Sequence, residues 1–186
     1  MTNYDQLVHL LATRSAKYGQ FTLASGVQSN LYIDARITTM SPEGIALIGP
    51  LALEALQQSS WNPDSVGGLT LGADPISYSI AYASASTKSP LRAFTVRKQI
   101  KTHGTGKLIE GPFDPTDRVA IVEDVITTGS SALQAIHTVA AAGATITGVI
   151  ALIDREEGGR LKIEDAGYPV ITLVTATQII ANMKLS

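Results

Sequence analysis

The chain has 186 residues, enough for one domain with a real hydrophobic core, and its 45% apolar and 16% charged residues are ordinary for a globular protein. A formal charge of -2 and an isoelectric point near 5.9 argue against general nucleic-acid binding, which needs a basic surface. The sequence has no cysteine, no apolar run of about eighteen residues and no signal-like start, so disulfides, thiolate metal sites, membrane spans and secretion are not expected, and a soluble cytoplasmic protein is.

In chain order, Tyr4–Lys17 carries Tyr4, Leu7, Val8, Leu10 and Leu11 on roughly one face and reads as a helix. Ser41, Pro42 and Glu43 resemble an N-cap, a first-position proline and a first-turn acid. The helix they open is expected to kink where Gly49–Pro50 interrupts it. Short apolar runs follow at Val66–Leu71, Leu91–Val96, Val119–Val122, Thr147–Ile153 and Val170–Val174, with helical stretches at Ile76–Ser86, Ser131–Ala142 and Ala176–Met183. In the second of these helices Ala132, Ala135, Ile136, Val139 and Ala140 share one side, and Gly143 supplies a stop. Continuous apolar strands alternating with helices predict a single α/β domain, residues 1–186, around a parallel sheet of about five strands covered on both faces. Ligands of such sheets bind beyond the carboxyl ends of the strands, and every polar cluster of interest falls at such an end.

The stretch Val119–Ser131, "VAIVEDVITTGSS", runs an apolar strand into two adjacent carboxylates and then a Thr/Gly/Ser turn. Glu123 and Asp124 repel each other and resist burial, so they call for hydroxyl donors or a cation such as magnesium. Thr127, Thr128, Ser130 and Ser131 offer hydroxyls, Gly129 permits close backbone approach, and a helix start presents amides to an anion. Acids for a sugar diol beside a nest for phosphate suggest a phosphorylated ribose. The plainer alternative is an ordinary strand–helix connection in which Thr128, Ser130 or Ser131 caps the helix.

A basic stretch, Val96–Gly111, "VRKQIKTHGTGKLIEG", holds Arg97, Lys98, Lys101, His103 and Lys107 among glycines without apolar periodicity. It reads either as a solvated charged loop or as a mobile loop whose cations meet a leaving diphosphate once water is shut out. Arg155, just past the strand Gly148–Ile153, can hold a carboxylate with two parallel hydrogen bonds, or pair with Asp154, Glu156 or Glu157; its position leaves both open. His9 and His137 sit in helical stretches and read as surface residues.

"VAIVEDVITTGSS" closely resembles the phosphoribosyl-diphosphate (PRPP) motif of type I phosphoribosyltransferases, which purine, pyrimidine and regulatory members share. "RKQIKTHG" resembles the catalytic loop of the orotate phosphoribosyltransferase family, with Arg97, Lys98, Lys101 and His103 on the matching positions. "FTLASGVQSNLYIDAR" is similar to that family's hood and orotate-pocket segment, and "GGLTLGADPI" and Asp154–Arg155 extend the likeness over nearly the whole chain.

The resemblance implies a type I phosphoribosyltransferase fold with a small N-terminal hood (residues 1–40) and a mobile catalytic loop (97–112). It implies a pentosyltransferase of pyrimidine biosynthesis that moves ribose 5-phosphate from PRPP to orotate, releasing orotidine 5′-monophosphate and diphosphate. The loop would act on the neighbouring subunit of a homodimer. Lys101, Arg97, Lys98, His103 and Asp124 would be catalytic. PRPP would meet the four loop residues and Glu123, Asp124, Val125, Ile126, Thr127, Thr128, Gly129, Ser130 and Ser131. Orotate would meet Thr127, Arg155, Ser25 and Gly26, and Mg2+ would be held mainly by PRPP and water. The chain departs from many relatives in lacking a lysine at Ala24 and another within Gly72–Ser79. Rival readings are transfer to another base, PRPP sensing without chemistry, and an unrelated phosphate-binding α/β domain.

Overall fold

A computed structural model of the chain describes residues 1–22, 28–99 and 107–184. Thr2 caps α1 (Asn3–Leu10): its Oγ1 accepts from the Asp5 amide at 3.1 Å, and the Asp5 carboxylate accepts from the Thr2 amide at 2.9 Å. One π-helical turn, Leu11–Ser15, follows. The helix expected to reach Lys17 stops there, because the chain turns into β1 (Ala16–Thr22), which pairs antiparallel with β2 (Gln28–Ile33). Pairing of Ala16 with Ile33 and of Lys17 with Tyr32 satisfies backbone groups that a longer helix would have satisfied internally. This hairpin is a two-stranded sheet of its own.

After α2 (Arg36–Thr39), Ser41 caps α3 (Pro42–Gln58) by accepting from the Gly44 amide at 3.1 Å. The helix runs on through Pro50 instead of being interrupted there. Buried Ile48, Ala52 and Leu56 hold it across the missing amide, and Gly49 allows close packing, since a Cβ there would lie 2.5 Å from the Ser79 carbonyl oxygen.

The remaining elements are β3 (Ser65–Leu69), α4 (Ala73–Ser84), β4 (Arg92–Val96), β5 (Ile109–Glu110), β6 (Arg118–Ile126), α5 (Ser130–Ala141), β7 (Thr145–Asp154), α6 (Gly159–Asp165), β8 (Val170–Thr175) and α7 (Ala176–Met183). They build a sheet of order β5-β4-β3-β6-β7-β8. Five strands are parallel, as the apolar runs predict, and the two-residue β5 adds an antiparallel edge, so the sheet is mixed. Both faces are covered: Ala120 and Val122 of β6 point into one buried cluster with α3 and α4 residues, and Val119 and Ile121 into the other with α5 residues.

Two boundaries matter for the site. From β3 the chain builds outward to β4 and β5, and from β6 outward to β7 and β8, so the connectivity reverses between β3 and β6. A crevice is expected beyond the carboxyl ends of those two strands. Strand β6 also continues to Ile126 because β7 continues beside it to Asp154, with Glu123 opposite Ala151 and Val125 opposite Ile153. Glu123 and Asp124 therefore belong to the strand and do not follow it, as the apolar run alone suggests.

Candidate active site

At the reversal point lies a cleft of about 480 Å³. Its walls are Tyr32–Arg36 from the end of β2 onward, Leu69–Gly72 from the end of β3 onward, Lys98 after β4, Arg155 after β7, and Glu123, Asp124, Val125, Thr127, Thr128 and Ser131 from β6, its loop and the start of α5. The loop after β3 packs directly on the acids: a Cβ on Gly72 would lie 2.5 Å from the Asp124 carboxyl carbon, so a larger residue there would have to displace the Asp124 side chain. The Thr70–Leu71 peptide in this loop is cis. Asp74 braces the same loop, accepting from Thr70 Oγ1 at 2.7 Å and Thr95 Oγ1 at 2.8 Å.

The two acids sit differently. Glu123 is buried, and its Oε2 has no hydrogen-bond partner among the described residues. Burial pushes its carboxyl well above the ordinary carboxylate range, the adjacent Asp124 charge adds to the shift, and Lys98 opposes it. Asp124 is half-buried, and its Oδ1 accepts from the Val125 amide at 2.9 Å. Adjacent carboxylates are thus tolerated because one is driven toward its neutral form while the other faces the cleft.

Beside them, Val125–Ser131 and Glu123 line a smaller cavity of about 230 Å³. Gly129 adopts φ +73 at the entry to α5, and a Cβ there would meet the Gly159 carbonyl oxygen at 2.7 Å. Thr128 and Ser130 hydroxyls bond each other at 3.0 Å, and no side chain caps α5. Of the plainer capping alternative only a long contact is present, Thr128 Oγ1 accepting from the Ser130 amide at 3.4 Å, and the start of α5 can present amides to an anion. The Ile126 side chain is in the core, so that residue can offer a ligand only its backbone.

Among the cations, Lys98 faces the cleft, whereas Arg97 is turned away: its amide donates to the Leu108 carbonyl at 2.8 Å and its guanidinium lies 3.6 Å from Glu110. Lys101, His103, Ser25 and Gly26 lie outside the described residues, as does Ala24. Arg155 makes one of the ion pairs open to it, Nη2 donating to Glu157 Oε1 at 2.6 Å, and the side chain, largely buried, lines the cleft with Thr127. His9 Nδ1 bonds Asn182 Oδ1 at 3.1 Å, and His137 is exposed on α5.

Sequence reasoning missed Tyr32, Asp34, Arg36 and Thr70–Gly72 as individual cleft residues. Asp34 clasps Arg36 on two edges, at 2.8 Å to Nε and 3.0 Å to Nη2, which lowers the Asp34 pKa and raises that of Arg36. Their signal was the cluster of polar residues ending "LYIDAR" just after an apolar alternation.

No family model matches the chain. It is 44% identical over 183 residues to the orotate phosphoribosyltransferase of Aquifex aeolicus (strain VF5), spanning 97% of this chain and 99% of that one. It is 42% identical over 173 residues to the orotate phosphoribosyltransferase of Rhodopirellula baltica, spanning 91% and 90%. Among solved structures, Mycobacterium tuberculosis H37Rv orotate phosphoribosyltransferase in complex with 5-phospho-alpha-D-ribosyl 1-diphosphate (PRPP) matches with a TM-score of 0.80 at 36% identity, over 96% of this chain and 99% of that one. A phosphoribosyltransferase from Corynebacterium diphtheriae matches with a TM-score of 0.83 at 32% identity, over 96% and 99%.

Proposed function

The chain belongs to the orotate phosphoribosyltransferase family, and from that membership we propose how its cleft transfers ribose 5-phosphate from PRPP to orotate. The observation that carries the reading is one cleft joining an acid pair, a strand-to-helix anion nest and a buried arginine beside Thr127. The nest takes the 5-phosphate. Asp124 and Glu123 accept from the ribose hydroxyls, and the cleft-facing Asp124 carboxylate favours the positive charge that develops on the ring as the C1′–diphosphate bond stretches. Arg155, with Thr127 beside it, receives the orotate carboxylate, and Ser25 and Gly26 are assigned to the same substrate from the family resemblance.

Lys98 stands at the cleft for the departing diphosphate, with Lys101, Arg97 and His103 brought by the loop of a neighbouring subunit. An exposed apolar strip next to the cleft, including Met40, Ile45, Leu71, Tyr78 and Tyr82, supports a homodimer. On this reading Mg2+ is held mainly by PRPP oxygens and water, with the cleft-lining Asp124 able to face it. That ion would neutralise diphosphate oxygens. The same reading includes a cytoplasmic place in pyrimidine synthesis; no described helix is long and apolar enough to cross a membrane.

The test follows loss of orotate absorbance with PRPP and magnesium, omitting each in turn and replacing orotate by uracil and purines. Only the complete mixture with orotate should react; equal turnover of uracil would overturn the assignment. Lys101→Ala should depress kcat by about a hundredfold or more while PRPP affinity changes little, and an unchanged kcat would remove that residue from catalysis.

A further inference from the structure

Glu156 adopts φ +59, a conformation that a glutamate seldom takes. Two residues on, Gly158 adopts φ +87 with glycine, the residue for which that region is freely open. The side chain at 156 must therefore hold the strained backbone in place. Its Oε2 accepts from the Thr177 amide at 2.8 Å and from Thr177 Oγ1 at 2.6 Å, in the first turn of α7. The Glu156 amide donates to Asp154 Oδ1 at 2.8 Å, and the Arg155 amide donates to the Ile126 carbonyl at 2.9 Å. The peptide units on both sides of Arg155 are thus tied to β6, to Asp154 and to α7.

This contact supplements the cap of the helix, taking the Thr177 amide that the capping box leaves free. Helix α7 already carries a complete capping box: Thr175 Oγ1 accepts from the Gln178 amide at 3.3 Å, and Gln178 Oε1 accepts from the Thr175 amide at 2.8 Å. What the added tie fixes is the direction in which the chain leaves β7, and with it the cleft-facing Arg155.

We infer that Glu156 is a positioning residue: anchored on the first turn of α7, it holds the backbone that aims Arg155 into the cleft and so sets affinity for the carboxylate of the accepting base. This rests on the reading above that Arg155 receives that carboxylate. Glu156→Ala should raise the KM for orotate about tenfold while the KM for PRPP stays within about twofold. Glu156→Gln keeps an acceptor within reach of Thr177 and should stay within about threefold of wild type. Glu156→Gly relieves the left-handed strain and should melt higher than Glu156→Ala yet keep the raised orotate KM, separating aim from stability. An orotate KM within about twofold of wild type in both the Ala and Gly variants would overturn the inference, and so would an equal rise in both KM values. Failure of the underlying reading looks different: wild type would not consume orotate, or Arg155→Gln would leave the orotate KM unchanged.

Discussion

Glu123 binds its proton more tightly in the folded chain than in the unfolded one, because burial and the Asp124 charge both disfavour its ionised form. A carboxyl raised in this way contributes its stability fully below its ordinary value of 4.5, and that contribution is lost as pH climbs through the raised value. Glu123→Gln removes the titration. Its melting temperature relative to wild type should therefore rise as pH climbs above 4.5 and level off once pH passes the raised value, and a pH-independent difference between the two proteins would contradict the burial argument. Gly72 makes a different demand. In Gly72→Ala a methyl would lie 2.5 Å from the Asp124 carboxyl carbon, so PRPP affinity should fall about tenfold with the fold retained, as calorimetric titration and circular dichroism would report. The acid pair, the nest and Arg155 were legible in the sequence because each is contiguous and sits at the end of an apolar run. The cleft-facing position of Gly72 was not, since the need for glycine comes from Asp124, a residue 52 positions away that only the fold brings alongside.

Among the elements, the five parallel strands could be read from short apolar or β-branched runs, because both faces of the sheet are buried. The hairpin could not, since Ala16–Thr22 interleaves Lys17, Gly19 and Gln20 with aromatic residues and takes its conformation from pairing with β2. The far end of β6 was hidden for a similar reason: Glu123 and Asp124 look like loop residues until the ladder from β7 holds them in the strand. The step from β6 into α5 carries its own prediction. Gly129→Ala combines φ +73 with a contact of 2.7 Å to the Gly159 carbonyl oxygen, so it should destabilise the protein by about 1–3 kcal/mol in chemical denaturation. It should also weaken PRPP binding, because the same turn shapes the anion nest.

For the molecule as a whole, the division of labour between subunits is open to a direct experiment. If the loop bearing Lys101 serves the neighbour's cleft, Lys101→Ala and Asp124→Asn chains are each nearly inactive, yet a mixed dimer regains one intact site. Random reassortment should then restore about a quarter of wild-type activity, whereas no recovery on mixing would place loop and acids in the same subunit. The placement of β6 reaches further still. It stands mid-sheet with Val119–Val122 wholly shielded from solvent, while the β1–β2 ribbon is a ladder apart that leaves Tyr18 63% exposed. Local opening begins where such shielding is thinnest. If that ribbon is the roof over the acceptor base, gentle warming would lift it away while the seat of the donor sugar stood firm, leaving a protein that turns nothing over yet still clings to its phosphorylated sugar.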